Sequence, residues 1–277
     1  MNRAYLDTTV LTDVLLKDDA RAKAALGRFA WTGLPVYAIK EFRAGPLKNW
    51  VWFHNKLAVN SFPNALRELG RMASTPRKNV VLTAIESLQL GAKDFEKMTA
   101  VETLGRYPHE NLGEIIRDHY RLHLKRTIIQ SWRERRSVTT EVLQELPCYA
   151  ERAPILEGNL IEMGHLGCDH RGECCMAPAL LAQKGALGEV LKVLDRLPPK
   201  PENQRRIKIL KEIVKGSKRL QLGDRECRGL GDIIFAMFCP GDAAILTTNV
   251  KDHTPLATVF RKQVESLDAP EAGSPVE

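Results

Sequence analysis

The chain has 277 residues, 44% of them hydrophobic, enough to bury the core of one large domain or two ordinary ones. Its formal charge is +7, from 41 Lys and Arg against 34 Asp and Glu, an excess that suits a polyanionic partner and equally a plain solvated surface. No uninterrupted run of about 18 apolar residues occurs, and Met1–Asp7 holds no apolar signal core, so the expectation is a cytoplasmic protein with no membrane partner; six cysteines in such a chain do not suggest a disulfide framework.

In chain order, Arg3–Leu6 reads as a short strand ending at Asp7, with Thr8 and Thr9 as caps for a helix carrying Val10, Leu11, Val14 and Leu15 at helical spacing. A second helix is expected over 19–30, broken by Gly33. Leu34–Ile39 then reads as a second strand, with Glu41 just past its end. From 46 to 219 helical periodicity dominates, with helices expected at 47–58, 64–73, 79–90, 93–104, 110–136, 139–146, 178–196 and 202–215. In the 110–136 helix, Leu112, Ile115, Ile116, His119, Leu122 and Ile129 are the candidate apolar face. The strand pattern returns at Ala243–Thr248, after a short buried helix beginning near Asp232, and Leu256, Val259 and Phe260 suggest one more helix. The tail over 264–277, rich in Pro, Glu, Ser, Ala and Gly, reads as disordered.

The acids Asp7, Glu41, Asp232 and Asp252 each fall where a strand meets a helix, and Asn249 follows the late strand. In a parallel α/β sheet, ligands bind beyond the carboxyl ends of the strands. Gathered carboxylates repel unless a cation neutralises them, and oxygen donors of this kind suit Mg²⁺ or Mn²⁺. Taken singly, each Asp also reads as an ordinary helix N-cap.

Four segments together resemble the PIN domain of metal-dependent ribonucleases, and the VapC-like toxin nucleases in particular. They are Tyr5–Leu11, Ile39–Phe42, Gly231–Ala236 and Ile245–Asp252. The resemblance implies a PIN-like parallel sheet flanked by helices, built from 1–45 plus 220–263, with a large mostly α-helical insertion over 46–219. It implies that Asp7, Glu41 and Asp232 hold Mg²⁺ or Mn²⁺, that Thr247 and Asn249 close the site, and that Asp252 supplies a further acid. The implied activity is hydrolysis of phosphodiester bonds, in RNA before DNA. Toxin-type members work with a small inhibitor, so an antitoxin-like protein partner and an oligomer are carried as expectations. Two departures stand out: 191 residues separate Glu41 from Asp232, and position 249 is Asn where many active members carry Asp. A catalytically silent module that binds nucleic acid or protein is the alternative.

Cys148, Cys168, Cys174 and Cys175 fall in one loop region, 148–175, as a candidate Zn²⁺ set, with His165 or His170 as replacements; an iron–sulfur cluster or a metal or redox sensor is a further reading, and buried small thiols the plain one. Cys227 and Cys239 read as core thiols. Arg121 and Lys125, on the 110–136 helix, and Arg205, Arg206 and Lys211, in a basic run over 200–219, are candidate nucleic-acid contacts. The four tryptophans read as core.

Overall fold

A computed structural model describes residues 2–73, 78–98, 105, 111–169, 174–198, 200–216 and 222–267. Five parallel strands form the main sheet: β1 (Arg3–Leu6), β2 (Trp31–Pro35), β3 (Glu141–Leu143), β6 (Ala244–Thr247) and β7 (Gln263–Ser266), in the order β3-β2-β1-β6-β7. A separate antiparallel hairpin joins β4 (Ile155–Glu157) to β5 (Leu160–Glu162). The register sets Tyr5 beside Gly33 on one side and beside Ile245 on the other. From β1 the chain moves outward to β2 and β3, then returns to the opposite side for β6 and β7. The crevice between the ends of β1 and β6 is therefore the point where the winding reverses, the place where open α/β sheets take ligands.

The helices in chain order are α1 (Thr8–Leu11, continued by a π-helical turn over Thr12–Leu16), α2 (Ala20–Leu26), α3 (Val36–Phe42, with a π-helical turn over Arg43–Leu47), α4 (Lys48–Val59), α5 (Phe62–Ala73), α6 (Lys78–Glu96), α7 (Leu112–Glu134), α8 (Ala177–Ala182), α9 (Lys184–Arg196), α10 (Pro201–Lys215), α11 (Asp224–Gly229), α12 (Gly231–Phe238) and α13 (Val250–Val259). Helices α4 to α7 pack on one another, and α7 meets the first π-helical turn, where Ser131 donates to the Leu15 carbonyl at 2.8 Å. Helix α10 packs against α9 and α11, and α9 against α13, so this group lies beside the late motifs. Among the described residues no helix is long and apolar enough to cross a membrane.

Several expectations are corrected. The second strand is Trp31–Pro35, and Val36 opens a helix, so Glu41 sits within α3 rather than past a strand. Val36, Tyr37, Ala38 and Ile39 are all fully buried, which erases the one-sided pattern of an ordinary helix and imitates a core strand. The helix is started by a distant residue: Glu145 accepts the free N–H groups of Val36 at 3.0 Å and Tyr37 at 2.6 Å. Burial nevertheless pushes the Glu145 carboxyl up to about 7, against those backbone bonds. The helix expected over 139–146 is instead the edge strand β3, held to β2 by Thr139 and Thr140, whose hydroxyls both donate to the Thr32 carbonyl. The 79–90 and 93–104 helices are one through Glu96, with 99–104 outside the described residues. The 178–196 helix divides at Gln183. On α7 the buried stripe is Ile115, His119, Leu124, Ile128 and Trp132, whereas Leu112 is exposed. The tail expected as disordered begins with β7, paired to β6, while 268–277 lie outside the described residues.

Gly33 lies inside β2 instead of ending a helix. A Cβ there would fall 2.1 Å from the indole ring of Trp31. That ring is fixed by the Arg3 guanidinium 4.0 Å above it and by its Nε1–H, which donates to Glu141 at 3.0 Å. Gly33→Ala is therefore expected to displace Trp31 and cost about 1–3 kcal/mol of stability, read as a lower urea midpoint with a changed tryptophan emission.

Candidate active site at the carboxyl edge of the sheet

Three acids that are distant in sequence converge at the crevice between β1 and β6. Asp7 leaves β1 directly and is the N-cap of α1, its carboxylate accepting the Thr9 N–H at 3.5 Å. The capping role expected of Thr8 and Thr9 thus belongs to Asp7, and the two hydroxyls are released for other work. Thr9 donates to Asp7 Oδ2 at 2.8 Å, and Thr247, at the end of β6, donates to the same oxygen at 2.7 Å. Thr8 donates to Glu41 Oε2 at 3.0 Å, tying the first acid segment to the second. Asp232 stands in the first turn of α12, after Gly231. A Cβ on Gly231 would lie 2.6 Å from Glu41 Oε1 and 2.9 Å from the Tyr37 hydroxyl, so only glycine lets α12 come this close to Glu41.

Sequence reading missed His253. It is buried on α13, with Nε2 3.6 Å from Asp7 Oδ2 and 3.8 Å from Asp232 Oδ1. Among the described residues its Nδ1 has no hydrogen-bond partner. The imidazole therefore faces both aspartates at once. A readable signal existed: His253, Leu256 and Ala257 share one helical stripe, and all three are buried.

The charges compensate one another. Burial opposes ionisation of Asp7, but the neighbouring His253 imidazole, with the Thr247 and Thr9 hydroxyls, outweighs it and holds the carboxyl below its usual range. Burial likewise opposes a charge on His253, yet Asp7, then Asp232 and Glu41, keep its pKa above that of a free imidazole. Glu41 is the strained member: burial, then Asp232 and Asp7, push it up to about 8 despite the Thr8 and Tyr37 hydroxyls. Asp232 is paired with the guanidinium of Arg206, which also donates to the Gly229 carbonyl at 3.0 Å.

The other expected residues lie apart from this cluster. Asn249 is the N-cap residue of α13 and donates through Nδ2 to Asp252 at 2.9 Å; both are exposed. Asp252 lines a cleft of about 240 Å³ together with Arg206, Lys200 and Lys251, at the rim of the acids. Arg206 is turned inward to Asp232, while its neighbours Arg205 and Lys211 are exposed on α10. Arg121 and Lys125 are half-buried on α7, Arg121 lying 3.7 Å from Asp118. Of the expected thiols, Cys148 and Cys168 lie 3.6 Å apart. His165 is exposed, with Nε2 3.0 Å from the Cys168 carbonyl oxygen, and His170 lies outside the described residues.

The donor set at the acids, three carboxylates and no thiol, fits a hard divalent cation. As the side chains stand, no group of three or more His, Cys, Asp or Glu among the described residues is open to a metal ion. A side-chain cation, Arg206, is already placed against Asp232.

No protein-family model matches this chain, and no curated protein and no solved structure matches it either.

Proposed function

We propose that the chain is a metal-dependent nuclease of PIN-like type that hydrolyses phosphodiester bonds, RNA being the expected substrate. The observation that carries this reading is the convergence of Asp7, Glu41 and Asp232, from three separate segments, on the switch-point crevice of a parallel sheet. Separate helix caps would have no reason to share one place. Asp7, Glu41 and Asp232 would hold Mg²⁺ or Mn²⁺, which when bound neutralises the acids, draws in a phosphodiester and makes a water more acidic.

The chain's own residues do the rest. Thr9 and Thr247 fix the orientation of Asp7, and Thr8 fixes that of Glu41. The Tyr37 hydroxyl, which donates to the Cys227 carbonyl at 3.2 Å, stands beside Glu41. His253 faces two aspartates that raise its pKa, and a cation held by the acids would take over as their counter-charge. Arg206 bridges the acids and the basic cleft lined by Lys200 and Lys251, where a backbone phosphate could lie against positive charge.

A second reading has one specific observation in its favour: His253 and Arg206 already balance the acids without any ion, as a silent nucleic-acid or protein binding module would require. Cleavage of a labelled, structured RNA pool separates the two. Wild type is expected to cut with Mn²⁺ or Mg²⁺, to stop with EDTA, and to lose activity in Asp232→Asn. Absence of cleavage by wild type on RNA and on DNA, with RNA still bound, would favour the silent module.

A further inference from the structure

A pair of thiols outside the acid cluster stands in a reactive setting. Cys148 precedes the β4–β5 hairpin and Cys168 follows it, with their sulfurs 3.6 Å apart. Cys148 is buried, whereas Cys168 is partly exposed. Two donors converge on the Cys168 sulfur: the Cys148 thiol, and the ammonium of Lys40, buried on α3 with Nζ 3.3 Å from Cys168 Sγ.

The plain account of a free cysteine is a small apolar core residue. It suits Cys239, which is buried with its sulfur 3.4 Å from the Ala243 carbonyl oxygen. It does not suit Cys168. A neighbouring ammonium favours the thiolate over the thiol, and a thiolate within reach of solvent is the form that peroxides oxidise. A second thiol in contact then converts the first oxidation product, a sulfenic acid, into a disulfide.

The backbone holds the pair in register. The Asp169 N–H donates to the Cys148 carbonyl at 2.9 Å, and the Asp169 carboxylate accepts the Ala150 N–H at 2.9 Å, so the residues beside the two cysteines are tied twice. The hairpin between them is pinned to α4, where Asn55 donates to the Ile161 carbonyl at 2.9 Å and accepts the Ile161 N–H at 2.9 Å. Closing the 3.6 Å gap to a disulfide of about 2.05 Å asks for a movement of roughly 1.5 Å, shared between two side chains.

We propose that Cys148 and Cys168 form a hydroperoxide-responsive dithiol, with Cys168 the attacking thiol, Cys148 the resolving one, and Lys40 the positioning residue that holds the Cys168 thiolate. The thiolate attacks one peroxide oxygen. An S–O bond forms, the O–O bond breaks, and the departing alkoxide takes up the proton that Cys168 gave to solvent. The Cys148 thiol then attacks the sulfenic sulfur. The S–S bond forms, the S–O bond breaks, and hydroxide leaves with the Cys148 proton as water. Two electrons pass from the thiol pair to the hydroperoxide, giving one alcohol and one water. The product staples the hairpin and removes the negative sulfur facing Lys40, the residue before Glu41, whatever reaction the acids perform.

The test uses the full chain, reduced, freed of reductant and treated with tert-butyl hydroperoxide. Intact mass is expected to fall by two hydrogen atoms. Peptide mapping is expected to find the Cys148–Cys168 bond in wild type, in Cys174→Ser, in Cys175→Ser and in Cys227→Ser, and to find no disulfide in Cys168→Ser. In Cys148→Ser, dimedone is expected to trap a sulfenic acid on Cys168. Lys40→Met in that background should slow trapping by on the order of tenfold and remove the ultraviolet thiolate absorbance that Cys168→Ser also lacks. Oxidised wild type should unfold at a higher urea midpoint than reduced, and dithiothreitol should reverse the change. The wild-type map decides the matter even if a variant fails to fold. Absence of both cross-link and dimedone adduct would overturn the pair, as would a lower urea midpoint on oxidation, which marks a bond the fold resists. A bond from Cys168 to Cys174, Cys175 or Cys227 would overturn Cys148 as its partner. Unchanged trapping in Lys40→Met would overturn the role of Lys40.

Discussion

Asp7→Asn is expected to remove metal-dependent cleavage, by on the order of a thousandfold or more, while the protein stays folded. The substitution is chosen because Asn caps a helix about as well as Asp, so α1 keeps its start. The amide oxygen can still accept from Thr9 and Thr247, which are 2.8 and 2.7 Å from Oδ2 in the native site. What disappears is the charge. His253 then loses the strongest of the influences that raise its pKa, leaving burial, which lowers it, opposed only by Asp232 and Glu41. Two readouts should therefore move together in Asp7→Asn: cleavage rate with Mn²⁺, and the titration of His253 by NMR in EDTA, shifted to lower pH. Asp252→Asn is the matched control. Its carboxylate is exposed and bonded to Asn249, so a loss of roughly tenfold is expected, the scale of an outer-shell partner. Equal rates for wild type and Asp7→Asn would remove the acidic centre from any catalytic account.

The parts legible in the sequence are those fixed locally. Arg3–Leu6 followed by Asp7 is a strand-to-helix junction with few alternatives, and Ala244–Thr247 is a buried strand bounded by Pro240-Gly241 and Asn249. The placing of three acids at one sheet edge followed from such junctions, although Glu41 reached its place by a helix and not by a strand end. What was not legible depends on partners far along the chain. Val36–Ile39 is helical because Glu145, more than a hundred residues later, satisfies the first N–H groups, and because burial on every side removes the helical stripe. Glu141–Leu143 is a strand because β2 offers an edge. Cys227 comes to Lys40, and Arg206 to the acids, through helix packing that no spacing encodes.

Glu41→Gln is expected to have opposite effects on stability and activity. The native carboxyl is pushed up to about 8 from an ordinary 4.5, by burial and by the charges of Asp232 and Asp7. A folded pKa above the unfolded one means that the folded state holds the proton more tightly. The stability this confers is complete below about pH 4.5 and is lost as pH rises through about 8. At about 1.4 kcal/mol per unit, the full displacement would approach 5 kcal/mol, and because the side chain is only half-buried about 2 kcal/mol is the expected size. Glutamine keeps the shape, can accept from Thr8, and has no proton to lose. In EDTA, therefore, urea midpoints of wild type should fall between pH 5 and pH 8 by that amount relative to the variant. With Mn²⁺ present the order should reverse, since the ion stabilises the fold that binds it and the variant binds it weakly. Cleavage by Glu41→Gln should drop by on the order of a hundredfold or more. A variant less stable than wild type at pH 8 in EDTA would show that Glu41 is held by favourable contacts and not strained by its neighbours, and would remove the reason for expecting a cation between the three acids.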